Sequence, residues 1–241
     1  MLRATDFEFR NRFWLIGLGY FLGFSAYRID QTNFVQFLVA KFIGAGSPTA
    51  GYWVHALFAL AAFIMFLGAA LRTWAAAYLQ SNVVHDESLH SEKLVAEGPY
   101  RHLRNPLYLG GILLAVGFGF LASRVGFFIL VFGETFFFLR LIALEESRLS
   151  ATQGEPFREF CRIVPKLWPS WSPRVPSSGM APRWGQAVTG EIFLWGFVVG
   201  MAAFAVTLRQ YVLWIIIAVA LALYIFRGFT RFGKRKGVQA S

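Results

Sequence analysis

Residues 53–78 read W-V-H-A-L-F-A-L-A-A-F-I-M-F-L-G-A-A-L-R-T-W-A-A-A-Y, a long apolar run interrupted by His55 and Arg72. A helix crosses a bilayer with roughly 20 mostly apolar residues, so this stretch reads as a transmembrane helix. Working outward, residues 106–122, 125–144, 188–208 and 211–226 read the same way, and residues 13–27 are a shorter candidate. Residues 34–43 are apolar over about half a span, which predicts an interfacial or re-entrant helix. The expected fold is an all-α, polytopic membrane bundle of six spans. Composition agrees: 56% of the 241 residues are hydrophobic, 15% are charged and mean hydropathy is +0.52, which excludes an ordinary soluble domain.

A net charge of +10 would suggest nucleic acid in a soluble chain, so its placement decides its meaning. With the N-terminus inside, seventeen of the 23 Lys and Arg fall in inner segments: Arg3, Arg10 and Arg12, then Lys93, Arg101 and Arg104, then six in residues 145–183 and five in residues 227–241. Arg28, Lys41, Arg124 and Arg209 fall outside, and Arg72 and Arg140 sit near inner span ends. This bias predicts cytoplasmic termini and cytoplasmic long loops, and it reports topology and anionic lipid, with no nucleic-acid partner.

Cys161 is the sole cysteine and cannot form an internal disulfide. The first apolar segment lacks a small-residue cleavage site and reads as a retained anchor. The Pro- and Ser-rich residues 165–182 read as a linker on the membrane surface. The organisation expected is an N-terminal span and interfacial segment (1–52), a core with a cytoplasmic site (53–170), a linker (171–183) and a C-terminal two-helix hairpin with a basic tail (184–241). No metal site is read from the sequence, and the default location is a prokaryotic plasma membrane.

Residues 94–111, L-V-A-E-G-P-Y-R-H-L-R-N-P-L-Y-L-G-G, are polar and turn-rich yet run into a span. Glu97-Gly98-Pro99 signals a turn, and Asn105-Pro106 opens a helix with a capping residue followed by proline at the first helical position. The resulting helix N-terminus, beside Arg101 and Arg104, favours an anionic or polar ligand group. Tyr100 and Tyr108 flank it and suit stacking on a planar ligand, although Tyr and Arg also collect at membrane interfaces as anchors. Further on, Glu134 stands in the apolar run F-F-I-L-V-F-G-E-T-F-F-F-L-R, where an ionisable group costs on the order of 2.5 kcal/mol or more unless paired. It marks either a function or a structural bond, for instance to Arg72. Glu145 follows eleven residues later on nearly the same helical face. The Glu145-Glu146 pair at a negative helix end calls for a cationic partner, or is a solvated terminus.

Together the two regions resemble the isoprenylcysteine carboxyl methyltransferase family and the wider group of membrane methyltransferases. The residues that carry the resemblance are Leu94-Val95, Gly98-Pro99-Tyr100, Arg104-Asn105-Pro106-Leu107-Tyr108-Leu109-Gly110, then Glu145-Glu146-Ser147-Arg148-Leu149, Gly154, Phe157, Phe160 and Val164-Pro165. The likeness spans residues 53–170. It implies S-adenosylmethionine as cofactor, lined by Leu94, Val95, Tyr100, Asn105, Pro106, Leu107 and Tyr108, with Glu145 or Glu146 holding its ammonium. It also implies that Arg140 holds a lipophilic methyl acceptor, a small molecule or a lipidated group reached from the membrane lipid. The chain departs from the pattern where Asn105 replaces a His and Ile163 replaces an Arg.

A cofactor bearing an ammonium and a sulfonium suits carboxylate and aromatic surface. The acceptor expected first is a carboxylate, that of a prenylcysteine or another lipid-linked group, which is already ionised and needs no base. If it is instead a phospholipid amine, a proton must leave first, and Glu134 or His102 becomes a candidate base. Two other classes compete. An NADPH-dependent sterol or enone reductase shares the R-x-P-x-Y-x-G stretch, but the Glu145-Glu146 pair suits phosphates poorly. A small transporter would use Glu134 and Arg72 to line a path, yet no inverted repeat supports it.

Overall fold

The computed structural model describes residues 3–79 and 96–238, with side chains through Ile225. Leu94 and Val95 lie outside the described residues. Helices make up most of the described chain, and its β-structure is one isolated bridge, Asn33 to Ser123. In chain order the helices are α1 (Asp6–Arg10), α2 (Arg12–Ser25), α3 (Phe34–Val39), α4 (Ala50–Tyr78), α5 (Pro106–Gly119), α6 (Arg124–Gln153), α7 (Glu155–Ile163), α8 (Trp184–Gly190), α9 (Ile192–Thr207) and α10 (Gln210–Val238).

Two of these, α4 and α6, are long and apolar enough to cross a membrane, and the pair α8 and α9, bent by 61°, makes a third if counted as one span. Three other apolar stretches form shorter helices, Phe34–Gly44, Pro106–Gly119 and Gln210–Ile225. The expected span at residues 106–122 shortens because Phe120, Leu121 and Ala122 turn back through 3₁₀-type bonds to Gly117, Phe118 and Gly119. The half-span at residues 34–43 is a short helix that runs into a π-helical turn, Ala40–Gly44.

The 29-residue α4, about 43 Å long at 1.5 Å per residue, is the axis of the molecule. It packs on α5 where glycines let the backbones meet. A Cβ at Gly68 would stand 2.8 Å from the Gly110 carbonyl, and one at Gly110 would stand 2.7 Å from the Gly68 carbonyl. Small residues at such crossings are how membrane helices gain contact without a hydrophobic drive between them. Met65, Ala61, Ala69, Leu114 and Phe118 fill this interface, and Met201 and Phe204 of α9 close it from the other side.

The end of α5 remote from the motif residues is sealed by polar bonds. Asn33 accepts from the Val35 and Gln36 amides, capping α3, while its Nδ2 reaches the carbonyls of Phe120, Leu121 and Ala122. Arg124 pairs with Asp30 at 2.9 Å, and Phe34 stacks on Phe127 with centroids 3.7 Å apart. Hydrogen bonding to Arg124 holds the Asp30 carboxyl down at about 2, against the opposing effect of burial.

Candidate functional site

The site is built where the loop before α5 meets the last turns of α6. Gly98 has φ +55°, and a Cβ there would meet the Tyr78 ring at 2.3 Å, so both backbone and space require glycine. The chain then makes a 3₁₀ turn, Gly98–Arg101, with Pro99 in its first turn, and buries Leu103. Tyr100 sits on this turn, where burial first and the Glu145 charge second push its phenol up from the ordinary value. Asn105 and Pro106 start α5 and are buried.

The Asn105 side chain does not cap α5, contrary to the sequence expectation. Its Nδ2 donates instead to Glu146 Oε1 at 3.1 Å and to the Lys166 carbonyl at 3.2 Å. Two cations converge on the same carboxylate, Arg104 Nε at 3.4 Å and Lys166 Nζ at 3.0 Å. One turn into α5, the Tyr108 hydroxyl donates to Glu145 Oε1 at 2.7 Å. The two motifs, some 40 residues apart in the chain, are thus joined by two side-chain bonds, each to one member of the acidic pair. Arg72 of α4 fixes the base of α5 by donating to the Leu107 carbonyl at 3.3 Å.

Arg72 also forms a paired contact to Glu191, at the α8–α9 bend, with Nε 3.0 Å from Oε2. Arg72 is therefore not the partner of Glu134. Glu134 follows a π-helical turn, Ile129–Gly133, and is 3% exposed. Its Oε1 faces Gly19 of α2, where an added Cβ would clash with it, and among the described residues its Oε2 has no hydrogen-bond partner. Along the α6 axis it stands about 16 Å from Glu145, beyond reach of a ligand atom touching that residue.

Arg140 lies between, and α1 closes over it. Its Nη2 donates to Glu8 Oε2 at 2.8 Å and to the Arg3 carbonyl at 3.1 Å, while its Nε is buried with no hydrogen-bond partner among the described residues. Glu8 belongs to a capping box with Thr5; hydrogen bonding to the Thr5 backbone holds its carboxyl below the usual range.

Residues 165–183, which take in the expected linker, are laced onto the loop as a strap. Arg104 N–H donates to the Pro165 carbonyl, Ser170 N–H to that of His102, Arg174 N–H to that of Arg101, and Arg183 N–H to that of Ala77 in the last turn of α4. His102 Nδ1 lies 2.8 Å from the Ser170 carbonyl; since a carbonyl can only accept, Nδ1 carries the proton and Nε2 is the basic nitrogen of the neutral ring. Buried Glu97 accepts from Ser177 Oγ and the Ser178 amide, and hydrogen bonds from Ser178 and Ser177 hold its carboxyl below the ordinary range despite burial.

Sequence reasoning does not find Lys166 or Glu8. Lys166 follows Val164-Pro165 directly, a position that invites suspicion, but its pairing with Glu146 depends on the strap folding back. The Thr5-x-x-Glu8 spacing announces a helix start and says nothing of Arg140.

Residues 56–154 match the family model for phospholipid methyltransferases. That family comprises membrane methyltransferases related to the isoprenylcysteine carboxyl methyltransferases, and it points to methyl transfer. The matched stretch holds most of α4, the loop, α5 and α6, hence the first motif and the second from Glu145 to Gly154; Phe157, Phe160, Val164-Pro165 and Lys166 lie beyond it. No curated protein and no solved structure matches the chain.

The donor set fits S-adenosylmethionine. Glu145 can take an ammonium, and Tyr100 and Tyr108 offer aromatic surface for a sulfonium or a base, while Arg104 Nε faces Glu146 at 3.4 Å.

Proposed function

We propose that this protein transfers a methyl group from S-adenosylmethionine to a lipophilic acceptor, and that the site lies on the cytoplasmic side of a six-span bundle. The observation that carries the reading is the joining of the two motifs: Asn105 to Glu146 at 3.1 Å and Tyr108 to Glu145 at 2.7 Å. Glu146 already faces Arg104, Lys166 and Asn105, so its charge is compensated within the chain. Glu145 is then the carboxylate for the ligand ammonium, with Tyr108 orienting it. When bound, the cofactor supplies an electrophilic methyl group. The chain's part is to hold, orient and exclude water, and alignment of this kind supplies several kcal/mol of barrier lowering.

Among acceptors, the family match favours a phospholipid amine. Arg140, whose buried Nε makes no hydrogen bond among the described residues, would take the acceptor's phosphate; a prenylcysteine carboxylate would use the same guanidinium. An ammonium must lose a proton before it can attack. Glu134 is too far along α6 to serve a centre at Glu145, whereas His102 lies on the loop that carries Asn105 and presents a basic Nε2.

The test is transfer from labelled S-adenosylmethionine by purified protein, with phosphatidylethanolamine and a prenylcysteine as parallel acceptors. Label in the phospholipid supports the reading in full, and label in the prenylcysteine alone reassigns the acceptor. No label in either, with no cofactor binding, overturns methyl transfer. His102→Asn is expected to abolish amine methylation while leaving cofactor affinity within about twofold, because the Asn amide still donates to the Ser170 carbonyl and only the basic ring nitrogen is lost.

A further inference from the structure

The strap carries two tryptophans that nothing among the described residues covers: Trp168 is 85% exposed and Trp171 102%. They are not on a loose segment. Ser170 between them donates from both its amide and its hydroxyl to the His102 carbonyl, at 3.0 and 3.1 Å, and its own carbonyl takes the His102 ring. The indoles are therefore held outward by a fixed backbone.

The strap's level in the molecule is also fixed. It leaves α7 at Pro165, whose carbonyl bonds the residue before Asn105, and it ends at Arg183, bonded to Ala77 in the last turn of α4. It thus crosses the ends of two apolar helices, the level at which tryptophan gathers in membrane proteins because one edge of the indole is apolar and its N–H wants water or a headgroup. Three arginines belong to the strap or to the turn beneath it: Arg174 and Arg183 are exposed, and Arg101, half-buried, donates from Nε to the Val175 carbonyl at 2.9 Å. Arg101 and Arg174 are joined through their backbones at 2.8 Å, Arg183 lies at the strap's end, and among the described residues none of the three has a carboxylate within ion-pair distance.

We infer that the outward face of residues 165–183 is a docking surface for the anionic phospholipid headgroups of the surrounding bilayer, with Trp168 and Trp171 seated at the acyl–headgroup boundary and Arg174 and Arg183 on the phosphates. Guanidinium groups take phosphate oxygens in pairs, and basic residues at the membrane surface respond to anionic lipid. The surface joins the site through Lys166, whose carbonyl takes Asn105 and whose ammonium meets Glu146. This inference does not depend on the methyl-transfer reading.

The test uses the full chain in nanodiscs of phosphatidylcholine alone or mixed with phosphatidylglycerol, reading the fluorescence difference between wild type and the W168F/W171F variant. Both positions are exposed, so the variant keeps its core. The expected difference signal is quenched by lipids brominated near the top of the acyl chain and shielded from aqueous iodide. Phosphatidylglycerol strengthens the lipid quenching at least twofold, and R174Q/R183Q removes that gain. Iodide quenching without lipid quenching would place the indoles in open water and overturn the inference. Quenching by neither would mean that another protein segment covers them, which overturns it equally. Equal quenching in both lipid mixtures would overturn the anionic preference.

Discussion

Tyr108 and Asn105 differ in what each would cost if removed. Tyr108→Phe deletes one hydrogen bond to a charged group, an effect of about 1.5–3 kcal/mol, so cofactor affinity measured by calorimetry should fall at least about tenfold with the fold retained. Asn105→Ala would free Glu146 Oε1 and the Lys166 carbonyl together, loosening the strap as well as the site, so protease sensitivity of the strap should rise with the loss of affinity. At the other end of α5, Asp30 gives a pH-dependent signal. Its carboxyl titrates at about 2 in the folded chain against an ordinary 3.8, so the stabilisation from Arg124 is complete above the ordinary value and is lost as pH falls through 2. Thermal melts of wild type and Asp30→Asn should therefore differ at pH 6 and converge as the pH approaches 2. At this scale the sequence shows which residues matter more readily than what they touch. The Asn-Pro pair marks the start of α5, but Asn105 turns from its own helix to Glu146 because α6 delivers a carboxylate there, and that placement is set by tertiary packing.

Helix contacts can be tested at glycine. Gly110 faces the Gly68 carbonyl and the Arg72 stem, and its added Cβ would lie 2.5 Å from Arg72 Cγ, so Gly110→Ala must push α4 and α5 apart. Overpacking of this kind costs about 1–3 kcal/mol, and the displaced Arg72 would release the Leu107 carbonyl. Gly51→Ala, with nothing within 4 Å, is the control and should leave the melting temperature unchanged or slightly raised. The long helices α4 and α6 are plain in the sequence because an apolar run needs no partner to be recognised. Other boundaries are not. The run at residues 188–208 breaks at Glu191, which leaves the helical path where it meets Arg72, and the run at residues 106–122 ends early in a turn tied to Asn33. Both breaks depend on side chains more than 80 residues away. The strap reads as a linker for the same reason: Pro and Ser predict irregular backbone and cannot say whether that backbone is held.

Across the whole molecule, the polar bonds fall at two ends of an apolar shaft. One end is the structural seal of Asp30, Asn33 and Arg124; the other gathers the loop, α1, the last turns of α6 and the strap around Glu145 and Glu146. The proposed reaction needs such a layout, with a water-soluble cofactor at one face and a lipophilic acceptor arriving along the shaft. The central claim is that this cluster holds S-adenosylmethionine through Glu145. Calorimetric titration of S-adenosylmethionine into wild type and Glu145→Gln, in detergent or nanodiscs, tests it most directly. Saturable one-site binding to wild type is expected, with a loss of about tenfold or more in the variant, whose charge-assisted contact is gone. Equal binding by both proteins, or no binding by a folded wild type, would contradict it.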